Sequence, residues 1–122
     1  MIRLLFCLRR LPSLSRDAFQ TYWREQHAPL VARHAAALRI ARYVQHHTLE
    51  PEAWRLLLGP RAVDAPYDGV AELGWASEAD LRGDPADAAA RAAGLALLED
   101  ERRFIDLPRS PIFVTRSLVV IG

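Results

Sequence analysis

The stretch Ser15-Arg16-Asp17-Ala18-Phe19-Gln20-Thr21-Tyr22-Trp23-Arg24-Glu25-Gln26-His27-Ala28-Pro29-Leu30-Val31 sets the reading of the whole chain. Ser15 is a good N-cap, and Asp17 falls in the first turn, where the helix dipole favours a carboxylate. Phe19, Tyr22 or Trp23, Gln26 or His27, and Leu30 recur at three- and four-residue spacing, the period of an amphipathic helix. Pro29 removes one backbone donor and crowds the turn before it, so a kink or break is expected near His27. Helix resumes over residues 31–38.

On the N-terminal side of this helix, the apolar run within residues 2–10 reads as a strand. It is too short for the hydrophobic region of a signal peptide. On the other side, residues 40–48 alternate, with Ile40, Arg42, Val44 and His46 on one face and Ala41, Tyr43, Gln45 and His47 on the other. Residues 49–65 read as loop, with one helical turn over 54–58 ended by Gly59-Pro60. Tyr67-Asp68-Gly69 is a turn leading into a strand over 70–75. Ser77 and Asp80 form a capping box for a short helix over 78–82. Asp84-Pro85 open another helix, expected to run to about residue 104. A loop at 106–111 precedes a β-branched strand over 112–121.

The order strand, helix, strand, strand, helix, strand is the ferredoxin-like βαββαβ arrangement. It predicts an α+β fold: one domain over residues 1–122, a four-stranded antiparallel sheet, and both helices on one face. No element remains to cover the other face. A homodimer is therefore expected, two sheets closing as a dimeric α/β barrel.

The chain has 122 residues, 51% hydrophobic and 25% charged, and a formal net charge of +1. That balance gives no broad electrostatic claim on nucleic acid or an anionic membrane, and no apolar run approaches a membrane span. A cytoplasmic location is expected. The single cysteine, Cys7, excludes an internal disulfide or a CxxC site and reads as a small hydrophobe. Lysine is absent, which excludes Schiff-base catalysis by this chain. There is no GxGxxG, P-loop or GxSxG motif, and no cofactor is expected. His27 and His34 lie roughly 10 Å apart along a helix, and no HxH or HExxH pair occurs, so no metal is expected.

His27 is the first candidate for chemistry, because imidazole titrates near neutral pH and suits general acid or base work. Tyr22 and Trp23, about one turn earlier, can wall a pocket for a flat substrate. The competing reading is a half-buried histidine bonded to backbone beside the kink. His46 and His47 point to opposite faces, so only one reaches the helix-side cleft, and alternation does not decide which. Glu72, inside a strand, lies either at a dimer contact or along a cleft, where burial would raise its pKa. Tyr43 can orient a substrate through its hydroxyl or sit satisfied in the core. Asp106 and Arg109 read as a loop-locking ion pair, or as groups that orient a catalytic residue from behind. The run Glu99-Asp100-Glu101-Arg102-Arg103 reads as a solvated helix face.

Several of these segments resemble the EthD family: residues 1–10, Leu14 to Gln20, Tyr22 to Val31, Pro66 to Leu73, and Leu97 to Glu101 with Phe104-Ile105-Asp106 and Arg109-Ser110-Pro111. The Tyr-Trp-x-x-x-His-x-Pro-Leu stretch is the most specific part. Gly74 departs from the pattern, which usually carries a bulkier residue there; it either enlarges a pocket or loosens the strand. The resemblance implies a dimeric α/β barrel, in agreement with the pattern above. The family takes its name from a protein linked to bacterial ethyl tert-butyl ether degradation beside an oxygenase system. Fungal members act in aromatic polyketide pathways as decarboxylases or dehydratases. The resemblance implies less about chemistry than about fold; with His27 as the proton-moving group, the expected function is an enzyme that uses acid–base chemistry, without a cofactor, on a hydrophobic oxygenated small molecule: an aromatic polyketide-like cyclase, dehydratase or decarboxylase. The alternatives are a cofactor-free monooxygenase, separable by oxygen consumption, and a non-catalytic ligand-binding dimer that assists an oxygenase, separable by binding without turnover.

Overall fold

The computed structural model describes residues 1–59, 61 and 65–122. Its strands are β1 (Ile2–Leu8), β2 (Arg42–His47), β3 (Gly69–Trp75) and β4 (Ile112–Arg116). They form one antiparallel sheet in the order β2-β3-β1-β4. The two central strands are thus the first and third in sequence, as the ferredoxin-like pattern requires.

The first helix starts where its cap predicts: the Ala18 N–H donates to Ser15 Oγ at 3.0 Å. It runs as α1 (Arg16–Tyr22), a π-helical turn (Trp23–His27) and α2 (Ala28–His34) without a break. In the wide turn the Ala28 N–H bonds the carbonyl of Trp23, five residues back. This is how the chain accommodates Pro29. An α-helical register would press its ring on the Glu25 carbonyl, and one extra residue in the turn relieves the contact. The expected break at His27 is therefore a widening. The Trp23 carbonyl also accepts from Gln45 Nε2 of β2 at 2.9 Å, which pins the turn to the sheet.

The remaining helices are α3 (Arg55–Leu58), α4 (Glu78–Arg82) and α5 (Ala88–Glu101). The turn at 54–58 matches α3, while Pro60 and the 62–64 part of the expected loop lie outside the described residues. The helix expected to reach 38 ends at His34 and the one expected to reach about 104 ends at Glu101, and other boundaries differ as well. Asp84 does not cap the long helix: its Oδ1 accepts from the Ala86 N–H at 2.9 Å in a local turn, and Asp87 caps α5 through the Ala90 N–H at 3.1 Å. The expected fourth strand over 112–121 stops at Arg116 because Arg116 pairs with Ile2, where β1 begins. Past that corner the chain offers no strand to pair with, and Leu118 to Ile121 lie exposed.

Register assigns the two sheet faces. Ile2, Leu4, Phe6 and Leu8 of β1 share the helix side with Ala71, Leu73 and Trp75 of β3 and Tyr43, Gln45 and His47 of β2. Trp23, Phe19, Phe104 and Leu8 are the largest fully buried side chains, each contributing about 1.5–3 kcal/mol of hydrophobic stabilisation. Phe104 has left α5 and packs its ring 5.4 Å from Phe19. Gly69 is required here: a Cβ on it would meet the Trp23 ring at 2.5 Å and the His46 carbonyl at 2.8 Å.

The opposite face carries Arg3, Leu5, Cys7, Val44, Val70 and Phe113 around Glu72. Glu72 accepts hydrogen bonds from Arg3, from Arg42 Nε at 3.0 Å, and pairs with His46 Nε2 at 3.0 Å. The centre of this uncovered face is therefore ionic, not apolar. Gly74 also belongs to this face, beneath Met1, so it enlarges no pocket on the helix side.

Candidate functional site

A cavity of about 120 Å³ lies between the sheet and the helices. Apolar side chains make most of its wall, among them Leu4, Phe6, Val31, Leu73 and Leu97. Three polar groups reach it: His27, Tyr43 and Glu101. Ile112, also in the lining, is 56% exposed, so the cavity reaches the surface beside β4.

His27 is buried, with its ring 5.0 Å from that of Phe104. Its partner is a side chain, not the backbone of the competing reading: Nδ1 lies 2.7 Å from Asp100 Oδ2. Burial holds the imidazole pKa below its ordinary value, against the pull of Asp100. Burial also opposes the Asp100 carboxylate, but hydrogen bonds from Tyr22, His27 and Arg103 outweigh it and keep that group ionised. The pair is thus a carboxylate and a neutral imidazole with Nδ1–H donating. Nε2, a free lone pair, is the nitrogen left for the cavity.

Asp100 is the residue that the sequence pattern hid. It sits in a run of five charged residues read as a solvated face, yet it is buried. Tyr22 Oη donates to its Oδ1 at 2.6 Å and Arg103 Nη1 does so at 3.0 Å. The next residue, Glu101, lines the cavity. Burial and then the Asp100 charge push its pKa up to about 7. Near neutral pH, a proton acceptor and a proton donor therefore face one apolar hollow.

The other candidates divide by side. Trp23 lines the cavity, and Tyr43 lines it with its hydroxyl accepting from Gln45 Nε2 at 3.0 Å. Burial raises the Tyr43 pKa, so the phenol stays protonated. Tyr22 lies behind the site, oriented on Asp100. His47 is on the helix side, but its ring stacks on Trp23 at 4.5 Å and its Nε2 meets Gln45 Oε1 at 2.9 Å. It buttresses the wall without lining it. His46 and Glu72 point to the opposite sheet face, so Glu72 is not brought to the cavity. Hydrogen bonds from Arg42 and His46, with the Arg3 charge, lower the Glu72 pKa to about 2, the reverse of the rise expected from burial in a cleft. Asp106 and Arg109 stand apart from the cavity, 3.8 Å from each other. That ion pair spans the loop as expected, and Ser110 Oγ also ties it, donating to the Asp106 carbonyl at 2.8 Å and accepting from the Arg9 N–H at 2.9 Å.

Among the described residues, no cluster of three or more His, Cys, Asp or Glu is placed to hold a metal ion, and no helix is long and apolar enough to cross a membrane. No curated protein matches the sequence. Solved structures do match its fold. An ethyl tert-butyl ether D (EthD) family protein from Bacillus halodurans aligns with TM-score 0.61 at 14% identity, over 97% of this chain and 100% of that one. An EthD-like protein from Ralstonia eutropha aligns with TM-score 0.63 at 17% identity, over 99% and 95%. A dimeric ferredoxin-like protein of unknown function from Thermobifida fusca aligns with TM-score 0.54 at 17% identity, over 93% and 88%. The sequence model of the EthD domain matches residues 11–108, a span that holds the wide helical turn, His27 and both acidic residues of the site, and the chain belongs to the EthD domain family.

Proposed function

We propose that the protein is an enzyme that moves protons within a hydrophobic, oxygen-bearing small molecule. The observation that carries this reading is the convergence of the Asp100-oriented His27 and Glu101 on one apolar cavity. His27 Nε2 removes a proton from an acidic C–H or O–H of the substrate. Asp100 stabilises the imidazolium so formed, and Glu101 donates a hydrogen bond or its proton to the substrate oxygen that gains charge. Trp23 and Tyr43 give a flat, aromatic-sized wall. Enolisation of this kind precedes cyclisation and dehydration, and loss of CO₂ from a β-keto acid leaves the same enolate for Glu101 to stabilise, which suits an aromatic polyketide-like substrate. We also propose that the working form is a homodimer closed over the Glu72 face; the uncovered sheet supports this, and so does the dimeric Thermobifida protein of like fold.

An aryl methyl ketone in D₂O tests the chemistry. Its methyl protons are expected to exchange faster with the protein, saturably, and His27→Ala and Glu101→Gln are expected to abolish the acceleration. A ketone that shifts the NMR signal of the Trp23 indole, and so is bound, yet exchanges at the buffer rate overturns the proposal.

A further inference from the structure

A second hollow, of about 270 Å³, lies where β1 ends, α1 begins and β3 starts. Its lining includes Arg9, Arg10, Arg16 and Arg109, and Asp68 is the carboxylate among its described lining residues. In a chain of net charge +1, four guanidinium groups around one concavity is a local concentration of positive charge. Asp68 is buried and fully engaged: Oδ2 accepts from the Arg10 N–H at 2.9 Å, and Oδ1 from Arg10 Nη1 at 2.9 Å and Arg16 Nε at 3.0 Å. It therefore fixes two of the guanidiniums in place. Arg9 is fixed by stacking 4.4 Å above the Tyr67 ring and by donating to the Ala65 carbonyl at 3.3 Å. Arg109 sits exposed at 3.8 Å from Asp106, too far for a hydrogen bond.

A guanidinium has five N–H donors. Among the described residues, Arg9, Arg10 and Arg16 each use one of their side-chain nitrogens on an acceptor here. Among those residues nothing else engages the rest of the fork on each, and its protein contacts orient it, which lowers the ordering cost of binding. Planar or tetrahedral oxyanions match such forks with paired N–H···O bonds.

We infer that this hollow is a binding site for the carboxylate or phosphate group of a small molecule, separate from the cavity that holds His27. Arg10 and Arg16 form its base, and Arg9 and Arg109 form its sides.

The test titrates the full-length protein with inorganic phosphate and, separately, with succinate, at constant ionic strength against chloride. Backbone and arginine side-chain NMR shifts are followed. Saturable shifts confined to residues 9, 10, 16, 68 and 109 are expected for at least one anion, and the tighter one identifies the group recognised. Arg9→Ala and Arg109→Ala leave the Asp68 cluster whole, so both are expected to fold, and each is expected to weaken binding about tenfold. That corresponds to about 1.4 kcal/mol. Shifts that rise linearly with both anions, or saturation that both variants leave unchanged, overturn the site. The readout uses no catalytic activity, so it stands apart from the fate of the His27 proposal.

Discussion

Replacing Asp100 by Asn tests the heart of the site, because it keeps shape and removes only charge. The Asp100 carboxylate accepts from Tyr22 Oη at 2.6 Å and Arg103 Nη1 at 3.0 Å through one oxygen, and from His27 Nδ1 at 2.7 Å through the other. An amide has one acceptor oxygen. Pointing it at Tyr22 and Arg103 satisfies two donors, and pointing it at His27 satisfies one, so the first orientation wins. The amide NH₂ then faces His27 Nδ1, which can remain bonded only by giving up its hydrogen. The imidazole proton moves to Nε2, and the base becomes a donor toward the cavity. Stability falls as well. A hydrogen bond to a charged acceptor contributes about 1.5–3 kcal/mol, against about 1 kcal/mol for a neutral one. The exposed Arg103 adds little after solvent screening. The other two partners, buried His27 and half-buried Tyr22, then give a loss of about 1–4 kcal/mol. Urea unfolding measures the loss, and ¹⁵N imidazole shifts report the tautomer. An Asp100→Asn protein in which His27 keeps its proton on Nδ1 refutes the orientation argument; one that loses under about 0.5 kcal/mol refutes the charged-acceptor argument.

Glu101→Gln removes a group whose pKa rises from 4.5 to about 7 on folding. The native state holds that proton more tightly, so the wild-type contribution is present below about pH 4.5 and is lost as pH rises through about 7. The variant should gain on the wild type over that window, by about 1–3 kcal/mol at pH 8; chemical denaturation at pH 4 and pH 8 checks it, and equal gaps at both exclude it. For His27 the sign is opposite. Its pKa falls below the ordinary 6.5, the unfolded chain takes the proton first, and stability drops as pH falls below about 6.5. An NMR titration should show His27 taking its proton below the ordinary 6.5. Gly69→Ala places a methyl 2.5 Å from a fully buried indole, an overpacking expected to cost about 1–3 kcal/mol by thermal or urea melts. Sedimentation at micromolar concentration should give twice the 13.7 kDa chain mass, and a species that stays monomeric at millimolar concentration counts against the dimer.

The fold was legible because its signals are local. Alternation in β2, the Ser15 and Ser77 caps, and the turn before Gly69 each act within a few residues. The ends of elements were less so. Where β4 stops is decided by where β1 begins, a fact about another strand. The site divides the same way. His27 stood out through Pro29 and a family resemblance, but Asp100 and Glu101 looked like surface charge. Nothing in a run of five charged residues says which of them turns inward. That is set by Tyr22 and His27, more than seventy positions away, which supply the hydrogen bonds that make burial tolerable. Glu72 misled for the converse reason: a strand carboxylate has two faces to choose from, and only pairing register chooses.

The five-residue turn from Trp23 to His27 makes the first helix two rods with independent bearings. Phe19 and Trp23 set the rotation of one against the sheet, and Val31 belongs to the other. Winding these same residues at ordinary α-helical pitch, with none removed, would swing everything downstream by about 100°, carrying the imidazole away from its carboxylate. Anyone transplanting this site into another scaffold must carry the irregular loop of backbone along with the side chains.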